Sequence, residues 1–332
     1  MTRVPVLEIG GTHVTAAVVD TAAGLPVAGS VVRRPVAAGA CAAELLDSFA
    51  EAARGTAEPG MVDWGVAVPG PFDYACGVGR FRGIGKFESL DGVDVGAGLL
   101  ARIPYARAIR FLNDADAFAI GEHHSGAAAE HGRSVCITLG TGVGSSFLRD
   151  GRPVTEGPDV PPDGRAHHIT VDGLPLEEVV SRKAVRARYA RSAGLDETAT
   201  APDVRAIAEL ARAADPHAVA AIDGCFTALG RALAPWCAAF RPDVMVVGGS
   251  MAASWDLIGP ALRTGLTAGA EGPRATAAVA TMALRTARRP DDAPLIGAAQ
   301  WVLTHGARSH PPAPGPSLAG SPAPGAPYAA RP

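Results

Sequence analysis

Val4-Pro5-Val6-Leu7-Glu8-Ile9-Gly10-Gly11-Thr12-His13-Val14-Thr15-Ala16-Ala17-Val18-Val19-Asp20 is the stretch from which the architecture follows. Two apolar runs flank a Gly-Gly turn, which reads as strand, tight turn, strand. The device recurs at Ser134-Val135-Cys136-Ile137-Thr138-Leu139-Gly140-Thr141-Gly142-Val143-Gly144, which continues in a second apolar run to Asp150. Two such units, one per half, imply a duplicated α/β architecture: each half a mostly β sheet flanked by helices, with a ligand cleft between the halves.

The intervening sequence fills in this frame. A third strand is expected over Leu25 to Val36. A helix is expected from Cys41 to Arg54, where Leu45, Leu46, Phe49, Ala52 and Ala53 recur at helical spacing. Trp64 to Val68 reads as a buried strand stopped by Pro69-Gly70-Pro71. Ile109 to Leu112 reads as a strand ending at Asn113-Asp114, followed by a helix from Ala115 to about His124. Residues 152–167 are rich in Pro, Gly and Asp and read as a loop. Helical patterns fill much of 176–240, and Asp243 to Val247 is a buried strand ending at Gly248-Gly249-Ser250. From about His305 the chain turns to Pro, Ala, Gly and Ser, too poor in apolar side chains to order itself.

Composition excludes several classes. The 332 residues suffice for two domains with real cores. Much of the 48% hydrophobic content is Ala, which with 40 Gly and 28 Pro reflects coding bias more than class. A formal charge of -3 without a basic stripe argues against nucleic acid as a partner. No long uninterrupted apolar run is present, and the first residues lack the basic start and apolar run of a secretion signal, so a cytoplasmic location away from membranes is expected. Cys41, Cys76, Cys136, Cys225 and Cys237 are scattered, without a C-x-x-C pair, and read as reduced, mostly buried thiols.

Either glycine turn alone is an ordinary hairpin. Two of them, with Gly248-Gly249 at the end of another strand, suggest a phosphate cradle, because turns without side chains let backbone N–H groups approach an anion and the Thr hydroxyls add donors. They fit neither a Walker loop nor the G-x-G-x-x-G dinucleotide spacing. At Asn113-Asp114 a helix cap needs only one of the pair. The other reading makes Asp114 a base for an attacking hydroxyl and Asn113 the partner of a neighbouring hydroxyl.

The order Glu8-Ile9-Gly10-Gly11-Thr12, Pro69-Gly70-Pro71, Asn113-Asp114-Ala115, Leu139-Gly140-Thr141-Gly142-Val143-Gly144, Leu176-Glu177 with Ser181, Val247-Gly248-Gly249 and Ile296-Gly297-Ala298-Ala299 resembles the ROK family of sugar kinases and sugar-responsive repressors, over roughly residues 4–303. The resemblance implies a two-domain actin-like ATPase (ribonuclease H-like) fold with ATP and Mg²⁺ in the interdomain cleft, and a homodimer. It implies an N-terminal domain of residues 1–113 plus about 292–306, a C-terminal domain of 114–291 and a disordered tail over 307–332. Gly10, Gly11, Thr12, Gly140, Thr141 and Gly142 would hold the phosphates and Gly248 and Gly249 the adenosine. Asp114 would be the catalytic base, with Asn113, His168 and Glu177 binding the sugar.

Three departures from the family pattern bear on chemistry. Glu8 stands where the family has Asp, and both reach a metal through water. The Cys-rich zinc loop of many members is absent, as in its short, zinc-free members. His167 and His168, read as strand neighbours, would point to opposite faces and share no ion. The family's sugar-binding Glu-x-Gly-His, aligned on His168, puts Arg165 at the Glu and His167 at the Gly. Arg165 has donors only, so the acceptor pocket differs from a glucokinase's unless Arg165 points to solvent from its loop or Glu156 takes the Glu's role. The reaction expected is phosphoryl transfer from ATP to a hydroxyl of a hexose or a C7 cyclitol of the epi-valiolone type. A glucokinase is one alternative, and a non-catalytic sugar-binding protein is the alternative of a different class. Too few residues precede the first strand for a repressor's helix-turn-helix.

Overall fold

The computed structural model describes residues 3–195 and 201–305; the tail expected from 307 lies outside the described residues. In the first half, β1 (Arg3–Ile9) and β2 (His13–Asp20) form the expected antiparallel pair, with Glu8 opposite Thr15. The third strand is not continuous. It divides into β3 (Leu25–Pro26) and β4 (Val32–Pro35), which both pair with β2. The break has a local cause: Gly29 takes φ 77°, and the Ser30 hydroxyl donates back to the Val27 carbonyl at 2.8 Å, turning the chain between the two pieces.

Helix α1 (Ala42–Arg54) starts where Glu44 accepts the Cys41 N–H at 3.0 Å. Strand β5 (Asp63–Val68) runs parallel to β1, the short pair β6 (Phe72–Asp73) and β7 (Val78–Gly79) follows, and α2 (Val95–Leu100) leads to β8 (Ala108–Asn113), parallel to β5. Helix α3 (Asp114–Ser125) leaves directly from the end of β8.

The second half repeats the plan. Strands β9 (Arg133–Leu139) and β10 (Val143–Arg149) are antiparallel, and β11 (Arg152–Pro153) extends that edge. The expected loop over 152–167 therefore begins with a strand and also contains two tight turns, at Pro162–Gly164 and Ala166–His168. A small hairpin, β12 (Thr170–Val171) and β13 (Leu174–Pro175), precedes helices α4 (Leu176–Val180), α5 (Arg182–Ser192), α6 (Val204–Arg212) and α7 (Pro216–Phe240). Strand β14 (Val244–Gly248) lies parallel to β9, and α8 (Trp255–Gly269) and α9 (Pro273–Thr281) lead to β15 (Ala283–Thr286) and α10 (Ala293–Thr304). The sheets read β3-β2-β1-β5-β8 and β11-β10-β9-β14-β15, each a hairpin joined to parallel strands.

Strand alternation decides what each face meets. On β1, Leu7 and Ile9 join the core around α1, while Val4 and Val6 join a second core built on α3 and α10. On β9 and β14, Val135, Ile137, Met245 and Val247 face α7 and α8, whereas Cys136, Val244 and Val246 face α3 and α10. Helices α3 and α10 are thus a shared layer between the sheets. They approach closely through small residues: a Cβ at Gly297 would collide with the Ala117 carbonyl, and one at Gly121 with the Ala293 carbonyl. Among the described residues no helix is long and apolar enough to cross a membrane.

Candidate active site

The same alternation aims polar groups into the cleft. Glu8 shares the parity of Val4 and Val6, so its side chain faces the α3–α10 layer. There it meets the Asp114 carboxylate at the head of α3 and Asp291 just ahead of α10, with Arg33 as a counter-charge. Burial first and Asp114 second push its carboxyl up to about 7.

Asn113 is the helix cap. Its Oδ1 accepts the Ala115 N–H at 3.0 Å and the Asp116 N–H at 3.4 Å, and its Nδ2 donates to the Tyr74 hydroxyl at 3.0 Å. Tyr74 in turn donates to the Val68 carbonyl at 3.3 Å. One amide hydrogen of Asn113 is left for a ligand. Because Asn113 does the capping, Asp114 needs to accept only the adjacent Ala115 N–H at 2.9 Å, which leaves its second oxygen open. Burial raises its carboxyl above the ordinary carboxylate range, opposed by the charges of Lys86 and Arg165 and reinforced by Asp116.

The glycines sit at the carboxyl ends of the parallel strands, where open α/β sheets bind ligands. The first turn is closed by the Gly10 N–H donating to the His13 carbonyl at 2.8 Å, and the second by the Gly140 N–H donating to Gly142 at 3.0 Å. Space over Gly11 is bounded by the Lys86 side chain alone, at 3.9 Å. Gly249, at φ 83°, is seated against the Leu139 backbone, where any Cβ would collide, and this brings the Gly248–Gly249 corner beside the second turn. Gly248 itself packs on the Phe118 ring of α3. Thr12 pairs with the neighbouring His13 ring at 3.0 Å.

Glu177, opening α4, lies so near Gly142 that a Cβ there would overlap its carboxylate. Partial burial raises its carboxyl and Lys86 opposes the rise. Arg182 also reaches the second turn: its guanidinium bonds the Thr141 hydroxyl and its N–H donates to the Gly140 carbonyl at 3.1 Å.

Arg165 does not point to solvent. It grips Asp116 with both terminal nitrogens, at 2.6 and 2.9 Å, and donates to the Ser145 carbonyl at 2.9 Å. The side chains are 14% and 12% exposed, and Ser146 donates to Asp116 at 2.7 Å. His167 and His168 belong to a tight turn and not to a strand, so the expectation of opposite faces does not hold. The turn puts their rings side by side, with centroids 4.3 Å apart. His168 is exposed and its Nε2 lies 3.6 Å from Asp163. Glu156 lines a separate open hollow of about 450 Å³ with Pro161, Pro162 and Trp236. The structure therefore gathers Glu8, Asn113, Asp114, the glycine turns, Glu177 and Arg165; His168 is tied to them through its backbone, its N–H donating to the Arg165 carbonyl at 3.2 Å, and Glu156 lies apart in its hollow. Among the described residues no three His, Cys, Asp or Glu side chains gather as a metal-holding group.

Three contributors had escaped the sequence reading: Lys86, Arg182 and Asp116. Asp116 offered a weak signal, a second carboxylate two residues beyond Asp114, but its partner is 49 positions away.

The ROK family profile matches residues 5–305. The glucokinase of Thermotoga maritima is 29% identical over 222 residues, covering 60% of this chain and 67% of that protein. The ROK hexokinase from Thermus thermophilus superposes with a TM-score of 0.70 at 27% identity, covering 92% of this chain and 99% of that one. A ROK family glucokinase from Streptomyces griseus, in complex with glucose and AMPPNP, gives a TM-score of 0.70 at 23% identity, covering 91% and 100%. The two duplicated halves thus form the two-domain actin-like ATPase fold.

Proposed function

The chain belongs to the ROK family, and on that footing we propose that it transfers the γ-phosphoryl group of ATP to a hydroxyl of a hexose-like sugar or cyclitol. The observation that carries this reading is Asp114: a half-buried carboxylate with a raised affinity for protons and an open oxygen, at the carboxyl ends of the strands between the two glycine turns. In the reaction, the acceptor oxygen bonds to the γ-phosphorus as the bridging β–γ P–O bond breaks. The hydroxyl proton passes to Asp114, and ADP departs. With the Gly10 and Gly140 N–H groups closing the turns, Gly11 and Thr12, and Thr141 and Gly142, present theirs to the phosphates, Gly248 and Gly249 border the adenosine, and Glu177 and Asn113 meet acceptor hydroxyls. Closure of the halves around both substrates excludes water and aligns the hydroxyl. The kinases to which the chain is similar, and the AMPPNP held by one of them, support this reading.

Mg²⁺, when bound, neutralises phosphate charge and orients the donor. Glu8 would hold it through water, since Mg²⁺ keeps several of its waters. Repulsion of Glu8 by Asp114 and by Asp291 is the feature of this chain that a cation would relieve.

For the acceptor, the Arg165–Asp116 pair favours a cyclitol over glucose. Where the family places a carboxylate that accepts sugar hydroxyl protons, this chain has a guanidinium closed on Asp116. A pocket lacking that acceptor leaves a glucose hydroxyl unpaired, and such a mismatch discriminates strongly. A coupled ADP-release screen over hexoses, amino sugars and C7 cyclitols tests both levels. Glucose ranking first would overturn the acceptor assignment. Turnover with no acceptor, despite bound sugar, would favour a non-catalytic sugar-binding protein.

A further inference from the structure

Lys86 stands where the halves of the cleft face one another. Its side-chain Cδ is the nearest group to the open face of Gly11, and its charge bears on Asp114 and Glu177, one at the head of α3 and the other against Gly142. The arginines of the cleft have other commitments, Arg165 to Asp116, Arg182 to Thr141 and Arg33 to the charge of Glu8. Among the described residues Lys86 makes no hydrogen bond and no ion pair of its own, although it is half-buried. A half-buried ammonium without a fixed partner, held beside carboxylates and a phosphate-type turn, is poised for an anion that arrives later.

Composition gives an independent argument. Of the 30 Lys and Arg residues in the chain, two are lysine, Lys86 and Lys183. The chain uses arginine almost everywhere else for positive charge, yet here it keeps the compact point charge that suits a phosphate. The setting is also built. Phe87, next in sequence, is fully buried at φ 57° against Phe49 and Phe81, with ring centroids 6.0 and 5.6 Å away, and its N–H donates to the Ala38 carbonyl at 2.9 Å. Gly83 and Gly85, at φ 72° and 75°, turn the preceding loop outward, and the Gly85 N–H donates to Glu88 at 2.9 Å. The lysine is therefore anchored from its C-terminal side.

We propose that the Lys86 ammonium engages the γ-phosphoryl group during transfer, binding its oxygens on the Gly11 side as the phosphorus passes to the hydroxyl held by Asp114. This rests on the kinase reading above. No proton leaves Lys86; it stabilises the charge on the equatorial oxygens.

The test separates γ-phosphate recognition from general nucleotide binding. Calorimetric titration with AMPPNP and with ADP, each with Mg²⁺, is compared for the wild-type chain, Lys86→Met and Lys86→Arg, alongside steady-state kinetics on the best acceptor of the screen. Lys86→Met is expected to weaken AMPPNP about tenfold or more while ADP changes by less than about twofold, and to lower kcat about 10²-fold. Lys86→Arg keeps the charge and is expected to retain part of both. An unchanged AMPPNP-to-ADP ratio, or a rise in acceptor KM with kcat intact, would overturn the proposal. A wild-type chain that binds neither nucleotide would overturn the kinase reading, and this proposal with it, whereas wild-type turnover with an indifferent Lys86→Met sinks this proposal alone.

Discussion

Replacing Arg165 by Met is expected to unmask the cost of a charge left alone in the cleft wall. The guanidinium meets Asp116 through two bonds of 2.6 and 2.9 Å, both side chains largely buried at 14% and 12% exposure. Two unit charges about 4 Å apart at an effective dielectric of about 20 attract by roughly 4 kcal/mol. Breaking such a pair from one side costs about 3–5 kcal/mol, because the survivor stays desolvated. Asp116 would keep only the Ser146 hydroxyl, with Asp114 nearby. We therefore expect Arg165→Met to destabilise by about 3 kcal/mol, lowering Tm by roughly 5–10 °C. Asp116→Asn alone should cost a similar amount, since it strands Arg165 with the Ser145 carbonyl. The double variant should recover most of the loss, leaving a coupling energy of about 2 kcal/mol or more in urea unfolding followed by circular dichroism. If the two single losses simply add, the pair contributes nothing, Arg165 is available to a ligand, and the argument for an altered acceptor pocket fails. The same logic makes Arg165→Glu a poor probe by itself, because it adds a carboxylate beside Asp116; restoring an acceptor requires Asp116→Asn as well.

Asp114→Asn is expected to retain nucleotide affinity while turnover falls ~10²–10⁴-fold. For the wild type, the raised Asp114 carboxyl means that the ionised base is lost as pH falls through a value above the ordinary carboxylate range, so the acid limb of kcat/KM should lie there, and a limb near pH 4 would refute it. The groups facing Asp114 are Glu8, Tyr74, Lys86, Asp116 and Arg165, and removal of either of the two cations should move the limb further up. Glu8 predicts a linked stability effect. Its carboxyl rises from 4.5 unfolded to about 7 folded, so the native state binds the extra proton and stability declines as pH climbs through that window, by on the order of 3 kcal/mol at most. Glu8→Gln without Mg²⁺ should therefore melt several degrees above wild type at pH 8 and show no gain at pH 4; equal differences at both would remove the charge argument. Gly297→Ala should destabilise by several kcal/mol in urea unfolding, because its Cβ would strike the Ala117 carbonyl of α3 and part the two helices; a neutral result would mean the layer is loosely packed.

What the sequence disclosed depended on the range over which its signals act. The hairpins β1–β2 and β9–β10 were legible because period-two alternation and a glycine turn are local patterns, and Asn113-Asp114 was legible because strand end, cap and helix start are contiguous. Even the proximity of Glu8 to Asp114 is implicit in parity, once β1 is known to bury its even positions against α3. The region 152–168 resisted because tight turns have no period. The break at Gly29, the strand at Arg152 and the paired histidines all follow from single φ angles or single hydrogen bonds, which composition reports only as an abundance of Gly and Pro. Arg165 illustrates the limit. Alignment on His168 located a cation where an acceptor belonged, yet what that cation does depends on Asp116, brought to it across 49 positions by the packing of α3 on β10. Lys86 is the converse case. No motif surrounds it, but a chain that writes nearly all its positive charge as arginine leaves each lysine conspicuous. Rarity of a residue type against the chain's own bias is thus a signal that survives where periodicity gives none, and at Lys86 the fold turns it into a position: beside Gly11, facing Asp114 and Glu177.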